Sequence, residues 1–72
     1  MARFIITTRQ MKNANGERIE PGMSVEVVTQ SMSNPVLSNP QAVASAFMRI
    51  YGVDLRRVGA LNMSYLAVER LN

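Results

Sequence analysis

Seventy-two residues, eight of them Lys or Arg against five Asp or Glu for a net charge of +3, make one small domain near the lower size limit for an unaided core. Cysteine and histidine are both absent, which excludes disulfides, thiolate metal sites and imidazole-based acid–base or metal chemistry. The N-terminal stretch MARFIITTRQMK holds only one apolar run, Phe4-Ile5-Ile6, whereas a signal peptide needs roughly 7–15 apolar residues and a membrane span about 20; the expectation is a cytoplasmic chain with no membrane partner.

Arg3 to Met11 reads as a strand, because Phe4, Ile5, Ile6, Thr7 and Thr8 are aromatic or β-branched. Apolar residues fall on both of its faces, as expected of a central strand covered at least partly on each side. KNANGERIEPG follows, with Asn15-Gly16 suited to a type I′ turn and Pro21-Gly22 to a type II turn around a short extended piece carrying Ile19. Met23 to Thr29 alternates cleanly, with Met23, Val25 and Val27 on the core side and Val28 as the one aliphatic on the other.

Ser-Asn-Pro then occurs twice, at Ser33 and at Ser38. The first copy is read as a turn leaving the second strand, since a helix begun at Pro35 meets Pro40 within about a turn. The second starts a helix over 40–51, with Asn39 as N-cap, Pro40 at the first helical position and Gly52 as the left-handed stop. Val43, Phe47, Ile50 and Tyr51, with Ala42 and Ala46, form a broad apolar face extended by Ala44 and Met48, while Gln41, Ser45 and Arg49 make the polar stripe. Met23, Met48 and Met63 are read as core gap-fillers. Residues 62–71 are read as a strand, with a C-terminal helix as the alternative; Met63, Tyr65 and Ala67 are assigned to one face, Leu66 and Val68 to the other.

The expected fold is therefore α+β, in the order β-β-α-β: a small three-stranded, mostly antiparallel sheet of order 2-1-3 with one helix packed on one face. One helix cannot cover two faces, which leaves Ile5, Val28, Leu66 and Val68 as a candidate interface on the second. A homodimer stacking these faces or pairing strand edges, or an unidentified protein partner, would bury them. A loop through Ile19, or one through Val36 and Leu37, would serve equally.

No catalytic constellation is present. The acids Glu17, Glu20, Glu26, Asp54 and Glu69 are scattered, without metal-ligand spacing, and the serines have no histidine to activate them. So small a chain also offers little room for a substrate cleft of about 300 Å³. The reading is a non-enzymatic interaction or structural module needing no cofactor or metal. The alternative is a weakly specific nucleic-acid binder contacting phosphates through Arg3, Arg9, Arg56, Arg57 and Arg70, although no strand-borne aromatic pair or Gly-x-x-Gly loop accompanies them.

EPGMSVEVVT, AFMRIYGVDLRRVGAL and YLAVER together resemble a family of short bacterial proteins of unknown function, over nearly the whole chain. The resemblance implies a free-standing single domain and brings with it no activity, substrate or site residue.

Overall fold

A computed structural model of the chain describes residues 2–30 and 32–71. In chain order these form β1 (Ala2–Thr8), β2 (Lys12–Ala14), β3 (Glu17–Ile19), β4 (Ser24–Thr29), α1 (Pro35–Ser38), α2 (Pro40–Tyr51), α3 (Leu55–Val58) and β5 (Leu66–Arg70). The main sheet has the order β4-β1-β5 and is antiparallel throughout. This is the expected arrangement with the most apolar strand in the middle. Three short helices stand where one was expected, and among the described residues none is long and apolar enough to cross a membrane.

Strand register decides which face each side chain joins. Phe4, Ile6 and Thr8 lie opposite Val27, Val25 and, on the other side, Arg70, Val68 and Leu66. Directly opposed residues share a face, so Leu66 and Val68 belong to the core side with Ile6, and Leu66 is completely buried. Their assignment to the second face is thus overturned. The alternation of β5 is legible in the sequence; its phase relative to β1 is not, because register depends on the 59–65 segment that precedes the strand. The second face carries Arg3, Ile5 and Thr7 of β1, Ser24, Glu26 and Val28 of β4, and Ala67 and Glu69 of β5. Only Ile5 and Val28 of the four expected aliphatics are there, interspersed with charge.

The core face is closed by more than one helix. Val43, Ala46 and Phe47 of α2, Leu55 and Val58 of α3, and Ile19 of β3 are all buried in one cluster with the inner residues of the sheet. β2 and β3 form a second, two-stranded sheet around Asn15 and Gly16, both at positive φ (54° and 79°), as a type I′ turn requires. This hairpin delivers Ile19 to the core and is fastened to α3 by polar bonds. Glu17 Oε1 accepts from the Asp54 N–H at 2.8 Å, Asn15 Nδ2 donates to the Arg57 carbonyl at 2.8 Å, and Lys12 Nζ donates to the Gly59 carbonyl at 3.3 Å. At the other end of the loop, buried Thr8 donates its hydroxyl to the Glu20 carbonyl and accepts from the Met23 N–H, tying the turn that leads into β4.

The doubled Ser-Asn-Pro resolves into two helix starts, so the first copy makes a one-turn helix rather than a bare turn. Asn34 Oδ1 accepts from the Val36 N–H at 2.9 Å, Pro35 occupies the first helical turn, and Val36 is buried. The turn ends where predicted, at Asn39, whose N–H closes α1 on the Pro35 carbonyl while its own carbonyl opens α2. α2 spans the expected residues and stops at Gly52 in the left-handed conformation, φ 68°. Its outer residues differ from expectation: Met48, Ile50 and Tyr51 are exposed. Met48 shares the outer side of the helix with Gln41, Ala44 and Ser45.

Candidate functional site

β4 is an edge strand of the main sheet. In a strand the N–H and C=O of one residue point to the same neighbour, and successive residues alternate sides. The Thr8 N–H donates to the Met23 carbonyl, whereas the Arg9 N–H donates to the Tyr65 carbonyl and the Leu71 N–H to the Arg3 carbonyl. Even-numbered residues of β1 therefore bond toward β4 and odd-numbered ones toward β5. On β4 the partners Val25, Val27 and Thr29 point inward, and Ser24, Glu26 and Val28 present their backbone groups outward.

This edge is closed at its Ser24 end. The Tyr51 hydroxyl accepts from the Ser24 N–H at 2.9 Å and donates to the Ser24 carbonyl at 3.1 Å, taking both of that residue's outward groups. Tyr51 is held for this by stacking on buried Phe47, ring centroids 5.8 Å apart. Beyond Ser24 lies a groove of about 230 Å³ between residues 26–28 of β4 and Ala42, Ser45, Ala46 and Arg49 of α2. Glu26 and Val28 extend their side chains from the open face, while α2 packs on the other. A groove that touches both faces of a sheet must run along its rim. Small side chains at 42, 45 and 46 keep α2 from filling it.

A second, shallow trough of about 410 Å³ adjoins the first across the outer face of α2, with Gln41, Ala44, Met48 and Arg56 beside the shared Ser45 and Arg49. It is a surface trough, larger than the cleft the chain length suggested. Asp54 also reaches it, but its Oδ1 is occupied in capping α3, accepting from the Arg56 and Arg57 N–H groups at 3.0 and 3.2 Å. No ion pair among the described residues engages Arg49, Arg56 or Arg57.

The residues singled out from sequence are divided among several places. Ile5 is half-buried at the centre of the open face, Val28 is 49% exposed at its margin, and Leu66 and Val68 pack on the opposite side. Arg3 grips Glu26 through a fork, Nε to Oε2 at 2.9 Å and Nη2 to Oε1 at 3.2 Å. Those hydrogen bonds and the attached charges raise the Arg3 pKa and lower that of Glu26. Arg9 reaches the Met63 carbonyl at 3.1 Å, at the far end of β1 from Arg3, six residues or about 20 Å away. Arg56 and Arg57 are exposed on α3, and Arg70 ends β5 opposite Phe4. These five arginines do not share one surface. Tyr51, Ser45 and Arg49 were missed as site residues. The polar stripe 41–45–49 is the visible signal for Ser45 and Arg49, whereas Tyr51 reads as part of the apolar face, and only strand register reveals that the stripe flanks an open edge.

No curated protein and no solved structure matches the chain. A family model does match, over residues 1–68, and the chain accordingly belongs to the family of unknown function DUF6140.

Proposed function

We propose that this protein is a non-enzymatic, cytoplasmic interaction module that accepts an extended segment of a partner protein as an additional strand on the edge of β4. The carrying observation is the groove between α2 and the outward backbone groups of Glu26 and Val28. Main-chain hydrogen bonds supply affinity in strand addition, and the pockets beside the edge supply selectivity. β4 has no proline, lysine or bulge in its span to blunt its edge. A non-enzymatic role is supported by the employment of four of the five acids: Glu17 anchors α3, Glu20 pairs with Arg18, Glu26 with Arg3, and Asp54 caps a helix.

Two other readings lose support. A homodimer stacking open faces would bury Ile5 and Val28 but neither Leu66 nor Val68. A nucleic-acid surface built on Arg3, Arg9, Arg56, Arg57 and Arg70 would have to span opposite ends of the sheet, with Arg3 already paired.

The test is a selection of short random-sequence peptides against the folded protein, followed by amide chemical-shift mapping. Selected peptides should shift residues 24–30, and Val28→Pro should weaken them about tenfold or more. The Val28 N–H faces away from β1, so proline there removes no ladder bond. If Val28→Pro fails to fold, Ser45→Trp fills the same groove from the exposed side of α2. Selection of no peptides, or shifts confined to other surfaces, contradicts the proposal.

A further inference from the structure

Building on that strand-edge reading, we infer that the segment taken up by β4 is acidic, with carboxylates on the side that faces α2. A strand laid antiparallel on β4 would bond to the outward groups of Glu26 and Val28 and alternate its side chains between the two faces. Those directed toward α2 meet a lining of Ala42, Ser45, Ala46 and the cationic residue Arg49. Arg49 has no ion-pair partner among the described residues, and neither has Arg56, farther along the adjoining trough. The one carboxylate at the edge, Glu26, belongs to the open face and is neutralised by the Arg3 fork. Net positive charge of the whole chain adds long-range attraction for an acidic segment.

A second copy of this chain is a poorer occupant. Antiparallel β4–β4 pairing turns about an axis perpendicular to the sheet and sets both α2 helices on one face. α2 packs chiefly over β4, so the two helices would approach to not much more than the strand spacing of about 4.8 Å, against the 8–10 Å that packed helices need.

The experiment compares two synthetic peptides, one alternating Thr with Glu and one alternating Thr with Lys, by titration into the labelled protein. The Thr-Glu peptide should shift residues 24–30 and 45–49, with affinity falling as salt rises. Arg49→Glu should weaken it about tenfold or more and reverse the preference toward Thr-Lys. Equal binding of both peptides at 24–30 overturns the acidic assignment and leaves strand addition standing. No shift at 24–30 from either peptide, together with an empty random-peptide selection, removes both. An oligonucleotide that displaces the acidic peptide from 45–49 without touching 24–30 gives the arginines to nucleic acid instead. Sedimentation at twice 8.0 kDa that Val28→Pro abolishes would put a second copy on the edge.

Discussion

Asn34 and Asn39 stand at the same position of the repeated Ser-Asn-Pro, yet only Asn34 caps with its side chain. Asn39 must end one helix with its N–H and start the next with its carbonyl, and the proline after it bars the right-handed helical conformation. Its backbone settles at φ −146°, ψ 63°, from which the side chain makes no cap bond. Asn34→Ala should therefore lower stability by about 0.5–2 kcal/mol, and Asn39→Ala by clearly less, as read from denaturant midpoints of the two variants. Asn39-Pro40 is legible in the sequence as a helix start, whereas Asn34-Pro35 reads as a turn and is a helix start as well. Which asparagine caps by its side chain is not legible, since that follows from the conformation imposed by two helices meeting at one residue.

Among the elements, β1, β4 and α2 were legible because each carries an unbroken pattern: β-branched residues, a period of two, or a capped run of helix formers. α3 escaped notice because four residues cannot display a helical period. Its start is marked only by Asp54 at the N-cap and its end by Gly59 at φ 77°. β5 was recognised as a strand and then turned the wrong way, the error a one-residue change in register produces. The corrected register has a measurable consequence. Leu66→Ala should cost about 2–5 kcal/mol through the cavity it leaves in the core, whereas Val28→Ala should stay within about 0.5 kcal/mol. Equal, small effects at both positions in chemical denaturation would restore Leu66 to the open face.

At the scale of the whole molecule, the premise that one helix cannot cover two sheet faces holds, but its consequence changes. The helical side is closed jointly by α2, α3 and the β2–β3 hairpin, all converging on Phe47, Ile19 and Leu55. The other face is left mixed, with Ile5 and Val28 set among Arg3, Glu26 and Glu69, so it is not the large apolar patch that strand composition suggested. The unpaired backbone groups lie instead at the rim, where Tyr51 seals Ser24 and leaves Glu26 and Val28 open. Composition could not expose this, because backbone groups have no sequence signature and their direction depends on which residues of β1 pair with which strand. The decisive measurement is residue-resolved amide hydrogen exchange on the free protein. Val25 and Val27, bonded to β1, should exchange only through larger opening of the fold, while Glu26 and Val28 exchange at close to unprotected rates. Protection at Glu26 and Val28 equal to that at Val25 and Val27 would mean the edge is already occupied, and would contradict the account.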